Sequence, residues 1–501
     1  MKIVIRADAS VAIGTGHVMR CLTLADALRD AGAEVSFICA DLTGHLGDVI
    51  ERAGHVVRLL SKDAAADWRS DAKSSAACIE GQGHVDWLIV DHYGLGAQWE
   101  TALRRCAKRI MAIDDLAEKS HDCDALLDQN YHADMVRRHD GLLPDRCVRL
   151  LGPRYALLRP EFRLARQCVD RTGAAPGRLL IFFGGSDPTN ETEKALHALR
   201  KLGRADLHAD VIVGATNPNR DRIEKLCGGL PNVSYHCQIS HIASLMACAD
   251  IALGAGGVTT LERCCLGLPA VVVAVADNQI DVSVSMAEAG CIRFLGKAGD
   301  VSADDMANAL RDLTDRPHEL AEMSANGMAM VDGNGCERVA AALLEPDLMT
   351  KMDRIVVRAA REDDARSLYE WRNTPEVRAA SFDDRAIAWE DHFAWFHAAL
   401  ANPNRHLLIG EADDRPIGVL RYDRSGMEAE VSIYLVPGIA GQGWGTRLLV
   451  AGNEWVEHHL PGVARLRARI RPENVASKKA FARAGFIPGG TDYVFDLQAN
   501  H

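Results

Sequence analysis

The segment Arg6–Arg20, RADASVAIGTGHVMR, gathers the residue types from which a hydrolytic or group-transfer site is built. Lys2–Arg6 is a β-branched run suited to a buried parallel strand, and Val18, Cys21, Leu22, Ala25 and Leu28 recur at helical spacing. Gly14 and Gly16 fall in the turn between them. Glycine there permits positive φ and close backbone approach, and the following helix offers free N–H groups and the positive end of its dipole. The result is an anion site with His17 at its lip. A helix N-terminus disfavours imidazolium, so His17 is expected to stay neutral near pH 7 and to accept a proton as a general base. Without its flanking glycines, the same histidine would read as a polar cap.

The elements that must position it repeat a simple pattern. Glu34–Cys39, Val56–Leu60, Trp87–Val90 and Arg109–Ile113 read as strands with helical patterns between several of them, which implies a doubly wound parallel sheet. Ligands in such sheets sit at the carboxyl ends of strands, where Asp8 and the run Asp91, His92 and Tyr93 are found. Tyr93 suits a hydrogen bond to substrate or nucleophile, and equally a packing role. After a polar hinge at 170–177 the pattern restarts with the strand RLLIFF. The loop GGSDPTNET then carries Gly185 and Ser186, with Ser186, Asp187 and Thr189 as capping candidates. A second glycine loop, LGAGGVTTLE, places Gly256, Gly257 and Thr259 before a helix, with Glu262 spaced to accept bonds from ribose hydroxyls. The run AVVVAVA precedes DNQID, where Asn278 and Gln279 offer neutral donors and acceptors. Plain turn chemistry is the alternative for each loop.

Composition excludes several classes. The 501 residues carry a formal charge of −12 without a Lys/Arg block, so no nucleic-acid partner is expected. No secretory leader and no apolar run of membrane-spanning length is recognisable, so a cytoplasmic protein with no membrane partner is expected. The 14 cysteines form no CxxC pair and no Cys/His ligand spacing, so no metal is expected. HDCD at 121–124 reads as a solvated loop. All cysteines precede residue 337 and five of the eight tryptophans follow residue 370, with EPDLMTKMD at 345–353 as a linker. Three domains are therefore expected, at 1–170, 176–345 and 354–501.

The last of these has its own chemistry. RIVVRAA reads as a strand and REDDARSLYEWRN as a helix, and the loop PGIAGQGWGTRLL places Gly441, Gly443, Gly445 and Thr446 where backbone N–H groups can hold a pyrophosphate. Glu430, on an alternating strand, is the candidate base for an ammonium substrate, with a surface carboxylate as the alternative. Trp371, Arg372, Asn373, Trp389, His392 and Trp395 would shape an acceptor pocket or simply form core.

Two resemblances join these parts. RADAS..IGTGHVMR, IVDHYG, FFGGSD and GAGGVTTLE, in that order over residues 1–340, resemble the UDP-sugar hydrolases of pseudaminic acid biosynthesis. The resemblance implies an α/β fold with a GT-B-like pair of Rossmann-like domains and inverting release of UDP from UDP-2,4-diacetamido-2,4,6-trideoxy-β-L-altropyranose, with His17 as base. The GAGG and DNQ blocks are also similar to the UDP-binding wall of the N-acetylglucosaminyltransferase that forms lipid II, which keeps a transferase as the alternative. Residues 354–497 resemble the GCN5-related N-acetyltransferases (GNAT), an α+β fold that uses acetyl-CoA. In that resemblance Ala440, Gly443 and Gly445 take the key loop positions, and Asn474 and Ser477 of RPENVASKKAFARAGF meet the cofactor arm. Ala440 departs from the family's arginine or glutamine, and Phe481 stands where a tyrosine acid is usual, so Tyr493 or water would serve instead. Together the resemblances imply a bifunctional enzyme that acetylates a UDP-4-amino sugar and then releases UDP. Alternatives are a UDP-sugar glycosyltransferase fused to an acetyltransferase of protein amino termini, and a non-catalytic sensor of UDP-sugar and acetyl-CoA.

Overall fold

The computed structural model describes the chain except residues 12, 82, 170, 172–175, 240, 345–354, 413, 414, 440–442, 490, 491 and 498–501, and gives only the backbone of 483, 488, 489 and 496. Two compact units follow one another, Met1–Glu345 and Pro346–His501.

The first unit holds two parallel sheets. Strands β1 (Lys2–Ala7), β2 (Glu34–Ala40), β3 (Val56–Leu60), β4 (Val85–Asp91), β5 (Ala107–Ile113), β6 (Ala125–Asp128) and β7 (Val148–Leu151) lie in the order 3-2-1-4-5-6-7. Strands β8 (Arg178–Phe182), β9 (His208–Val213), β10 (Val233–Cys237), β11 (Ile251–Ala255), β12 (Ala270–Ala274) and β13 (Arg293–Lys297) lie in the order 10-9-8-11-12-13. Central strands such as β1 and β12 are apolar runs because both faces are covered. In each sheet the order reverses beside the first strand, between β1 and β4 and between β8 and β11. Loops leaving that switch point diverge to opposite sides of the sheet and open a crevice at the carboxyl ends.

The structure alters three expectations in this unit. Strands β6 and β7 were not legible, being four residues long in a charged stretch. HDCD is not a solvated loop: His121 and Cys123 are buried. The His121 ring lies 2.6 Å from a Glu100 oxygen and 3.1 Å from Asp114, while Arg104 and Arg146 neutralise Asp122 and Asp124. The third change is the helix Gly335–Leu344, expected to belong with the second sheet, which packs on the helix Gly16–Asp30 behind the first. Leu343 O accepts the Trp87 indole N–H at 2.9 Å, and Cys336 Sγ donates to Thr23 O at 3.5 Å.

The second unit is a mixed sheet, β14 (Val356–Ala359), β15 (Arg405–Ala412), β16 (Arg415–Ser425), β17 (Glu428–Leu435), β18 (Arg465–Arg469), β19 (Ile487–Gly489) and β20 (Asp492–Asp496), ordered 14-15-16-17-18-20-19. Strands β14 to β17 are antiparallel neighbours, whereas β17 and β18 run parallel. Gly410 and Gly418 face each other across β15 and β16, and a methyl on either would overlap Leu448 of the helix Trp444–His459. The missing side chains let that helix sit close on the sheet. Trp371 and Trp389 pack against the small core of Leu368, Phe396 and Leu407, and buried His392 donates from Nε2 to Ala365 O at 3.0 Å. Arg372 and Asn373 bond loop carbonyls of Asp383 and Ile387. The core reading therefore holds for Trp371, Trp389 and His392, while Trp395 is exposed. No helix among the described residues is long and apolar enough to cross a membrane.

Burial pulls the His121 imidazole down from its ordinary 6.5, but its bonds to Asp114 and Glu100 win and hold it up at about 9. The imidazolium therefore stabilises the fold fully below its unfolded pKa and loses that contribution as pH rises through about 9, roughly 3 kcal/mol in all. Thermal melts should show the wild type losing stability from about pH 6.5 to about 9, with a shallower slope in His121→Asn, which starts less stable because two carboxylates are left facing each other.

Candidate active site

His17 enters the crevice as the second residue of the helix Gly16–Asp30. Gly14 has φ +85, and Gly14 N donates to Ser10 O at 2.8 Å, closing the loop that aims the helix. A Cβ on Gly16 would meet nothing within 4 Å, so this glycine faces open space. Thr15 at the N-cap makes no side-chain cap bond and the first turn has no acidic residue, so no side chain caps that end. The His17 ring is buried and stands edge-on to Tyr93, 4.5 Å between centroids. Burial, with help from Arg20 and His92, lowers its pKa against the pull of Asp91 and Asp115, so the imidazole is neutral at pH 7.

Tyr93 is the far end of a rigid loop. The Lys119 ammonium donates to the carbonyls of His92, Tyr93 and Leu95 at 2.8, 3.0 and 2.5 Å. Desolvation, then Asp115, pushes the Tyr93 phenol up to about 12, so it keeps its proton. Asn278 Nδ2, from the second sheet's loops, donates to Tyr93 Oη at 3.3 Å. That bond leaves the phenol proton free to be given elsewhere. His17, Tyr93 and Asn278 thus form one chain of side chains between the two sheets.

Asp8 does not face the crevice as a free ligand. Its carboxylate pairs with Arg6, accepts Ala40 N–H at 2.7 Å and lies 3.3 Å from His92 Nε2. His92 Nδ1 accepts from Gly94 N at 2.9 Å, so Nε2 bears the proton and donates to Asp8. Asp8 is a support for the loop that carries Tyr93.

Of the loops from the second sheet, the one before the helix Glu191–Leu202 is closed. Asp187 accepts Glu191 N–H and Thr192 N–H at 2.9 and 2.8 Å, and Gly185 O accepts from Gly214 N at 3.0 Å. Asp187 is the cap among the three candidates, and Ser186 is exposed beside it. The loop before the helix Val258–Cys265 is open: Gly257 has φ +86 and no side chain caps the helix. A Cβ on Gly256 would stand 3.0 Å from Ser283 Oγ and 3.1 Å from Gln279 Cβ, so a side chain there would crowd the Gln279 loop and the helix behind it. Gln279 Oε1 accepts Val275 N–H at 3.0 Å and braces its own loop. Buried Arg263 props the glycine loop, with Nη2 donating to Ala255 O at 2.7 Å and Nη1 lying 3.5 Å from Thr259 Oγ1. Glu262 lies 3.6 Å from Arg159, and burial pushes it up to about 7 against that cation.

In the second unit, β17 and β18 pair only from Glu428↔Arg465 to Glu430↔Arg467 and then part. Gly443, with φ +78, and Gly445 start the helix Trp444–His459, and Thr446 Oγ1 donates to Ala480 O at 3.5 Å. Ala440 and Gly441 lie outside the described residues. Asn474 accepts Ser477 N–H at 2.9 Å and so caps the helix Val475–Arg483. Phe481 is buried core against Phe486, and Tyr493 packs beside it. Glu430, at the last paired position, is held by Arg469 Nε and Nη2 at 3.0 and 2.9 Å and remains 41% exposed.

A model of the glycosyltransferase family 28 C-terminal domain matches residues 179–335, and one of the acetyltransferase (GNAT) domain matches residues 354–487. The UDP-2,4-diacetamido-2,4,6-trideoxy-β-L-altropyranose hydrolase of Campylobacter jejuni is 30% identical over 247 residues, 49% of this chain and 81% of that protein. This chain belongs to that hydrolase family. An uncharacterized protein of Methanocaldococcus jannaschii is 22% identical over 97% of this chain and 96% of its own length, so the two-part architecture extends beyond one half. MurG of Acinetobacter baumannii superposes with a TM-score of 0.51 at 15% identity, over 69% of this chain and all of that one, which shows the GT-B fold. The fold is α/β overall, and this member of the UDP-sugar hydrolase family carries a GNAT domain at its carboxyl side.

Residues missed in the sequence surround His17 and Tyr93. Arg20 grips Asp91 with Nε and Nη2 at 2.7 and 2.6 Å and Asp115 with Nη1 at 2.9 Å. Two signals were present: Arg20 is three residues from His17 on one helix face, and Asp115 follows a strand end. Lys119 gave no such signal, since its partners are backbone carbonyls of another loop.

Because Arg469 already holds it, Glu430→Gln should change the rate of acetyl transfer by less than about threefold and leave the pH profile in place, whereas loss of a general base costs about 10²–10⁴. Steady-state assays of CoA release over pH would check this.

Proposed function

We propose that the chain is a bifunctional enzyme of pseudaminic acid biosynthesis: its first unit hydrolyses UDP-2,4-diacetamido-2,4,6-trideoxy-β-L-altropyranose with inversion, and its GNAT domain acetylates the UDP-4-amino-sugar precursor with acetyl-CoA. The observation that carries the hydrolase reading is the neutral, buried His17 set against Tyr93, which is bonded to Asn278 from the second sheet.

UDP is a good leaving group, so the reaction needs an oriented water, a base and donors for the departing charge. His17 takes a proton from water as its oxygen attacks C1 on the face opposite UDP. The C1–O bond breaks, and the electron pair leaves on the diphosphate. The uncapped amides at Gly257–Thr259 and the dipole of the helix Val258–Cys265 receive that charge. Glu262 accepts the ribose hydroxyls, and Tyr93 and Asn278 orient the reacting end. A metal is not required by this scheme. In the GNAT domain the substrate amine attacks the thioester carbonyl, its proton is lost and CoA leaves as the thiol; Gly443, Gly445, Thr446, Asn474 and Ser477 border the cofactor. The family 28 match keeps one second reading, transfer of the sugar to an acceptor hydroxyl.

His17→Asn should lower UDP release by about 10²–10⁴ with UDP affinity within twofold of wild type. An NMR time course with the UDP-4-amino sugar should show UDP appearing only after acetyl-CoA is added. Acetyl-CoA consumed without UDP release, unless an acceptor is supplied, would replace hydrolysis by transfer.

A further inference from the structure

The segment that follows β5 has no part in the scheme above, yet it is bonded to the holders of both His17 and Tyr93. Asp115 Oδ2 accepts from Arg20 Nη1 at 2.9 Å, and Arg20 lies three residues after His17 on the helix Gly16–Asp30. Four residues further on, Lys119 reaches the loop that joins β4 to the helix Ala97–Leu103 and carries Tyr93. An ammonium has three protons to give, and the carbonyls of His92, Tyr93 and Leu95 accept them at 2.8, 3.0 and 2.5 Å. The charge is balanced through space by Asp114, Glu100, Asp91 and Asp115. The same loop rests on the lysine stem: a Cβ on Gly96 would stand 3.2 Å from Lys119 Cδ and 3.2 Å from Ser120 O, and Ala97 N donates to Ser120 O at 3.0 Å. The segment is itself anchored, by His121 between Glu100 and Asp114 and by Arg138 Nη2, which donates to Leu116 O at 2.9 Å.

A lysine bonded to a carboxylate neutralises a charge. A lysine whose protons converge on three carbonyls of one loop instead fixes a backbone path, and bonds from a charged donor are about twice as strong as neutral ones. One of the three carbonyls is that of Tyr93, so the ammonium sets where this residue leaves the backbone, and the ring then stands edge-on to His17 at 4.5 Å. His92, bonded to Asp8, fixes only the start of the loop. We propose that Lys119 is a positioning residue of the hydrolase, acting on turnover through Tyr93 alone by holding the phenol against His17. This rests on the UDP-sugar hydrolase reading and deepens it.

The test is a double-mutant cycle on the full chain, read as kcat and KM for UDP release from the diacetamido UDP-sugar. Lys119→Met keeps the stem beside Gly96 and removes the three donors. It should lower kcat about tenfold to a hundredfold, the usual result of a small misplacement, with KM and UDP affinity within threefold of wild type. Tyr93→Phe should lower kcat as well, and the double variant should be no more than threefold slower than Tyr93→Phe, because the two changes remove one function. A merely structural loss would lower the melting temperature and multiply with Tyr93→Phe. The proposal is overturned by a fall in kcat smaller than fivefold in Lys119→Met, by multiplying effects in the double variant, or by an unchanged kcat in Tyr93→Phe. A second readout needs no turnover: fluorine NMR of the chain carrying 3-fluorotyrosine, with the Tyr93 line assigned from Tyr93→Phe. That line should lie away from the random-coil position in wild type and move toward it in Lys119→Met. A line at the random-coil position in wild type overturns the proposal even if no Lys119 variant folds. Wild type that releases no UDP rejects the hydrolase reading, and the Tyr93 line then decides whether Lys119 positions the ring.

Discussion

Two buried guanidinium groups hold the carboxyl edge of the first sheet together. Arg6 joins Asp8 after β1 to Asp71 of the helix Trp68–Glu80, and Arg20 joins Asp91 after β4 to Asp115 after β5. Each is nearly dry, so each charge depends on its partner, and removing one member of such a pair costs about 3–5 kcal/mol. The fork of each arginine also fixes the carboxylates' orientation. His92 and Tyr93 follow Asp91 directly, and His17 is three residues before Arg20. A network paired for its own electrostatic reasons therefore sets the geometry of His17 and Tyr93.

Around that edge, one backbone device appears with different outcomes. Glycine turns lead into helices after β1, β8 and β11, and all three could hold an anion in principle. Asp187 fills the end of one with an internal carboxylate, whereas the helices after Gly16 and Gly257 have no side chain in that position. One internal carboxylate decides between a structural turn and a binding loop. The open pair lies on different sheets, linked by the bond between Asn278 and Tyr93.

The GNAT domain solves a different positioning problem. Its sheet loses a pairing partway along β17 and β18, so strand backbone beyond Glu430 and Arg467 is left without that neighbour. Gly410 and Gly418 let the helix Trp444–His459 sit tightly on the sheet below Leu448, which holds its amino end steady near the parting strands. An acetylation preceding hydrolysis in the same chain would supply the amide that the second reaction's substrate carries.

Periodicity and glycine placement determined much of this protein from the sequence alone. The parallel strands appeared as apolar runs because both faces are covered, and His17, Tyr93 and Asn278, which the structure brings together, stood out because they follow strand ends and glycine turns. What the tertiary structure decided was pairing. Asp8, Glu430 and Asp187 are carboxylates at positions a ligand could use, and only their partners, Arg6 with His92, Arg469, and the amides of Glu191 and Thr192, show that they are occupied. HDCD likewise became a buried ion-pair network because Glu100, Asp114, Arg104 and Arg146 reach it from distant positions. A charge written in sequence carries no record of its neighbours, and in a dry environment the neighbour determines whether it supports the fold or serves the site.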